Sequence, residues 1–142
     1  MGNMSNHFYI DKNYIDFFKK SEILNSPREE GIMKRENFLF LMAYGFSIGY
    51  KTPFDNPKNK GNDTFVMNQL TSEELALVYA VALSDSGDTE IVNNDTKVAD
   101  IAMEYANTGI IALQNLEGNS QKGNRIKKFQ AEIHDIIDEY NY

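Results

Sequence analysis

Residues 38–46 read Phe-Leu-Phe-Leu-Met-Ala-Tyr-Gly-Phe. A helix through this stretch has hardly any polar face, and a helix apolar all round is buried all round. The predicted helix runs from about Lys34 to Ile48. Gly45 and Gly49 sit four residues apart on it. Small residues at that spacing let a second helix approach closely, and Gly49 also suits a C-terminal cap.

Downstream, Thr71-Ser72-Glu73-Glu74 has the form of a capping box, in which the Thr71 hydroxyl takes the Glu74 amide and the Glu74 carboxylate reaches back. It opens a predicted helix from Ser72 to about Leu83. Leu75 through Leu83 has no polar side, which predicts a second central helix. Ser84 to Asp88 stops it, and Thr89 is placed to cap a short turn through Val92. Asp95 or Thr96 then caps the longest helix, to about Leu116. Val98, Ile101, Ala102, Tyr105, Gly109, Ala112, Leu113 and Leu116 recur on it at three- and four-residue steps. Gly109 inside this helix costs about 1 kcal/mol against Ala, so close packing or a bend is expected there. Residues 117–124 read as a linker, and the last helix, Arg125 to about Tyr140, carries Ile126, Phe129, Ile133, Ile136, Ile137 and Tyr140 on one stripe.

Upstream, residues 1–8 read as flexible. Asp11 is placed to cap an amphipathic helix to about Ile23. Residues 50–64, with two prolines, a glycine and three lysines, read as the clearest loop. Phe65-Val66-Met67 is too short for a sheet by itself. The expected architecture is all-α: one domain over 1–142, a compact orthogonal bundle of about five helices with two central apolar ones.

Composition narrows the function classes. The chain has 142 residues, no cysteine and two histidines, His7 and His134. Disulfides, thiolate metal sites, cysteine nucleophiles and histidine-rich metal centres are excluded together. No metal and no cofactor is expected. Net charge is −7, which opposes indiscriminate binding to nucleic acid or anionic membrane. The N-terminus lacks the basic and apolar regions of a signal peptide, and the apolar run Phe38–Ile48 is too short to span a bilayer. A cytoplasmic protein without membrane contact is expected. Charge is uneven: residues 1–64 hold nine basic and eight acidic groups, and residues 65–142 hold five and thirteen.

Three groups of residues carry chemistry. Asp85, Asp88, Glu90 and Asp95 cluster around a loop, without the ligand spacing of a calcium loop. Glu104, with Tyr105 beside it or Asp100 one turn earlier, offers carboxylates for acid–base work, but such work needs a concave pocket that raises one pKa. No phosphate-binding glycine loop and no nucleophile motif is present, so no enzyme activity is expected. Finally, Lys34, Arg35, Lys51, Lys58 and Lys60 bracket the apolar helix, with Tyr50 and Phe54 among them. Basic residues interleaved with aromatics suit a nucleic-acid strand or an acidic protein surface, and the bland alternative is a solubilising loop.

Three blocks together carry a family resemblance. The first is Phe38 to Phe46 followed by Gly49-Tyr50-Lys51-Thr52-Pro53-Phe54. The second is Leu77 to Leu83 followed by Gly87-Asp88. The third is Ala102-Met103-Glu104-Tyr105-Ala106-Asn107-Thr108-Gly109-Ile110. Their order and spacing over residues 32–116 resemble DNA phosphorothioation-associated protein 4, also called Dnd system-associated protein 4. The resemblance implies a small accessory protein of bacterial anti-phage DNA modification or restriction systems, and it brings no catalytic residues with it. The expected partners are larger subunits, an ATPase or a nuclease, with DNA contact through the Lys51–Lys60 loop and self-association as further modes. A stand-alone DNA-binding module and a phage-encoded inhibitor of a defence complex are the rival readings.

Overall fold

The computed structural model of the protein describes residues 6–21, 23–24, 30–56, 60–118 and 132–133, and their side chains except at 30–34 and 61–64. The chain is mostly helical. Strand β1 (His7–Asp11) leads through a 3-10 turn into α1 (Ile15–Lys20). Then follow α2 (Glu30–Ile48), β2 (Lys60–Val66), α3 (Ser72–Ser86) and α4 (Asp95–Gly118). Glu132 and Ile133 are helical; the rest of the helix expected over 125–140 lies outside the described residues. No helix among the described residues is long and apolar enough to cross a membrane.

The centre of the molecule is the α2–α4 pair. A β-carbon on Gly45 would overlap the carbonyl oxygen of Tyr105 and lie 3.0 Å from the backbone nitrogen of Gly109. A β-carbon on Gly109 would overlap the carbonyl oxygen of Leu41 and lie 3.2 Å from the nitrogen of Gly45. The two glycines therefore meet where the helices cross, as the expected packing notch requires. Phe38, Leu41 and Met42 from α2 interlock there with Ala102, Met103, Ala106, Ile110 and Leu113 from α4, all buried in one core. Gly49 ends α2 with a positive φ of 107° and donates its N–H to the Gly45 carbonyl at 3.1 Å.

The expectation of a central helix at 72–83 is corrected. Helix α3 buries only Val78, Val81 and Ala82, while Leu77 and Leu83 face water. It is a flanking helix, and the second central position belongs to α4. An Ala- and Leu-rich segment is a good helix former on any surface, so its composition does not fix its depth.

The helical class holds coarsely, with two short strands added to it, and β1 corrects the expectation that residues 1–8 are flexible; residues 1–5 lie outside the described residues. His7, Phe8, Tyr9 and Asp11 pair antiparallel with Val66, Phe65, Asp63 and Lys60, with irregularities after Phe8 and after Tyr9. The alternation points Phe8 and Ile10 inward, both fully buried. Phe8 stacks on Phe65 at 4.8 Å and meets Phe38 edge-on at 5.1 Å. At the irregularity the Tyr9 N–H donates instead to the Met103 sulfur of α4 at 3.2 Å. The 50–64 loop therefore ends at Lys60, where β2 begins.

The first helix is also shorter than expected. Asp11 caps the 3-10 turn by accepting the Asn13 N–H at 2.8 Å, and α1 spans only Ile15–Lys20. It stops because Glu117 of α4 accepts both the Ser21 hydroxyl, at 2.9 Å, and the Ile23 N–H, at 3.0 Å. A further cap sits on the next turn. The N-cap expected at Asp95 or Thr96 is Asn94, whose side chain accepts the Lys97 N–H at 3.1 Å.

The capping box at Thr71 forms as the sequence predicts. Thr71 accepts the Glu74 N–H at 3.2 Å, and Glu74 accepts the Thr71 N–H at 2.9 Å. Gly87 closes α3 with a φ of 69°. Thr71→Ala should therefore cost about 1 kcal/mol and Thr71→Ser almost nothing, as urea unfolding will show.

Candidate functional site

The expected site residues do not form one patch. Lys34 and Lys58 have side chains outside the described residues. Arg35 lies near the start of α2, whereas Tyr50, Lys51 and Phe54 follow its end. The thirteen helical steps from Arg35 to Ile48 span about 20 Å. Arg35 donates from Nε to Glu74 Oε1 at 2.8 Å, so it fastens α2 to the start of α3. Tyr50, Lys51 and Phe54 share the segment after α2, and Lys60, the first residue of β2, lies near Phe54.

The segment after α2 is sewn onto α4. The Thr52 N–H donates to the Glu104 carbonyl at 3.0 Å. The Thr108 hydroxyl donates to the Tyr50 carbonyl at 2.8 Å and lies 2.7 Å from the Thr52 hydroxyl, and the Asn107 amide donates to the Thr52 carbonyl at 3.0 Å. Backbone polar groups laid against a buried helix need such partners. This explains why Asn107 and Thr108 are almost wholly buried on α4. The result is a turn with a fixed backbone and an exposed ring: Tyr50 is 61% exposed. Phe54 behaves differently, since it packs against the core.

Among the described residues, Lys51 and Lys60 are matched by carboxylates. Lys51 pairs with Asp85 at 2.9 Å, and the Tyr105 hydroxyl donates to the same carboxylate at 2.7 Å. Lys60 lies 3.9 Å from Asp100, with its ammonium 5.6 Å from the Tyr9 ring centre and 5.8 Å from that of Phe54. The basic segment and the acidic cluster, separate in the sequence, thus join at Lys51–Asp85. Ion pairing within the chain reduces what these lysines offer to phosphates.

Electrostatics along this seam have two signs. Burial pushes the Asp85 carboxyl up, but Lys51 and the Tyr105 hydroxyl together hold it below its ordinary value. Tyr105 is in turn pushed up to about 12 by burial and by Asp85. Glu104 is held above the usual carboxylate range, mainly by burial and then by Asp100 and Asp85, against the pull of Lys51. Ionising Glu104 therefore opposes folding as pH rises from its unfolded value through its raised folded value. Ionised Asp85 favours folding, and that contribution is lost as pH falls from its unfolded value through its lowered folded value. Glu104→Gln should raise the melting temperature at pH 7 and leave it unchanged at pH 3. Asp85→Asn should lower it at pH 7. Thermal melts of both variants across pH 3–8 check the signs.

No three or more His, Asp or Glu side chains among the described residues are grouped to hold a metal ion. Asp85 is taken by Lys51 and Tyr105, and Asp88, Glu90 and Asp95 accept hydrogen bonds from nearby groups. Asp88 accepts the Glu90 N–H at 3.0 Å, Glu90 accepts the Asn93 amide at 3.1 Å, and Asp95 accepts the Tyr79 hydroxyl at 2.6 Å. The short turn after α3 is thus capped by Asp88, in place of the expected Thr89.

The hydrogen-bonded seam joins the Gly-Tyr-Lys-Thr-Pro turn to the Tyr-Ala-Asn-Thr-Gly element of α4, two stretches 55 residues or more apart in the chain. Both stretches stand out in the sequence, but that Asn107 and Thr108 bond to the turn does not. The signal was available as two adjacent polar residues on a helix otherwise rich in small and apolar ones. No family model, no curated protein and no solved structure matches the chain.

Proposed function

We propose that the protein is a non-catalytic accessory subunit of a bacterial anti-phage DNA modification or restriction system, acting in the cytoplasm. It docks on a larger ATPase or nuclease subunit, as the resemblance to DNA phosphorothioation-associated protein 4 implies. One observation carries the docking: the Tyr50 ring is exposed while its backbone is pinned to α4. An aromatic held on a rigid backbone binds at low entropic cost, and such residues anchor interfaces. Two further facts favour a protein partner over DNA. Lys51 and Lys60 are paired within the chain, and the net charge is −7.

Tyr50→Ala should weaken retention of the partner by roughly tenfold or more, with no change in melting temperature. Asp88→Asn, at an exposed rim, should change retention far less and act mainly on the rate of encounter. Phe54→Ala should act through stability, because that ring packs against the core. The check is co-purification with the products of neighbouring genes, at low and high salt. Equal retention by wild type and Tyr50→Ala would remove Tyr50 from the interface.

A further inference from the structure

Helix α3 turns Val78, Val81 and Ala82 to the core and Glu73, Ala76, Leu77, Ala80, Leu83 and Ser84 to water. The steps of three and four residues make the outward set one stripe. Leu77 is 41% exposed and Leu83 is 37% exposed; Val92, in the turn that follows, is 43% exposed. Leu77 and Leu83 flank Ala76 and Ala80 on this face, and exposed apolar side chains gathered on one helix face mark interaction sites.

The charge around the stripe says what covers it. Residues 61–96 contain seven carboxylates and no lysine or arginine. Arg35 pairs with Glu74 and Lys51 with Asp85. Glu73, Asp88 and Glu90 are exposed and form no ion pair among the described residues. Glu73 lies in the first turn of α3 and Asp88 two residues past its end, so the helix holds these two charges about 20 Å apart along its axis. A second copy of this chain would bring the same acidic margins against these, as a two-fold interface repeats its own patch. DNA and anionic lipid are repelled likewise.

We propose that the outer face of α3 receives an amphipathic helix of a partner protein, with leucine or isoleucine along one stripe and lysine or arginine at both ends. The apolar stripe supplies the burial, and the two acidic ends set register and orientation. The Lys51–Asp85 pair joins this face to the Tyr50 turn, so one partner can engage both. The inference does not depend on which cellular system supplies that partner.

The test uses the full-length protein and a fluorescent synthetic peptide of about 18 residues, with leucines at helical spacing and lysines elsewhere. Two control peptides have the same composition scrambled, or glutamate in place of every lysine. The lysine peptide should bind roughly tenfold or more tighter than either control, and its amide shift changes should map to residues 73–92. Leu77→Glu combined with Leu83→Glu should weaken it by roughly tenfold or more. Ala80→Lys, a second exposed change, should do so with the melting temperature unchanged. Glu73→Gln with Asp88→Asn should weaken binding and flatten its salt dependence. Equal binding of the scrambled peptide, shift changes on another face, or variants that bind like wild type would overturn the proposal. A wild-type dimer that Leu83→Glu dissociates would also overturn it, because the occupant would then be a second copy.

Discussion

Gly109→Ala is expected to destabilise the protein by about 3 kcal/mol or more, at the upper end of what overpacking costs. In an exposed helix the same change stabilises by about 1 kcal/mol, because Ala is the better helix former. The sign reverses here because the new β-carbon meets the carbonyl group of Leu41, which is backbone and has no rotamer to adopt. The helices can accept the methyl group only by moving apart along their whole contact. Gly45→Ala meets the Tyr105 carbonyl from the other side and should cost a similar amount. Each change forces the same separation, so the double variant should cost clearly less than the two single costs combined. Gly109→Leu should leave little folded protein. Urea unfolding of the three alanine variants checks the sign and the non-additivity together; a Gly109→Ala protein as stable as wild type would mean that the helices do not cross there.

Phe8→Ala should cost about 3–5 kcal/mol, the range for emptying a buried phenylalanine site. Phe8 is fully buried, flanked by Phe65 and Phe38. The ring joins β1, β2 and α2 at one point. Phe8→Leu should recover a good part of the loss, since it keeps most of the apolar volume. His7→Ala, one residue away on the half-buried face, should cost much less. Chemical denaturation of the three variants separates a docked strand from a loose terminus, for which all three would behave as wild type.

The β1 strand shows why part of the fold was not legible. His-Phe-Tyr-Ile-Asp alternates as a strand should, but it is five residues long. Its partner lies some fifty residues on, so no hairpin turn marks the pairing. Helix α2 was legible because an apolar run with two glycines admits few placements. The Thr71 capping box was legible because its chemistry is local. The roles of α3 and α4 were exchanged for a physical reason. Apolar residues all round α3 suggested depth, yet only one side is covered. Helix α4 read as amphipathic, yet even Asn107 and Thr108 are inside, where they satisfy the backbone of the Tyr50–Thr52 turn. Side chains that pair with distant backbone are not visible in spacing. The same holds for the loop lysines: their positions were readable in the sequence, and their pairing with Asp85 and Asp100 was not.

The central claim is that this chain works by holding a protein partner. Its most direct test is isolation of the tagged protein from its native host at physiological salt, with nuclease added, followed by mass spectrometry of what remains bound. The account predicts a larger subunit, encoded nearby, that co-purifies in fixed stoichiometry and survives removal of nucleic acid. Wild-type protein that retains no partner, yet holds duplex DNA at the same salt when nuclease is omitted, would contradict it.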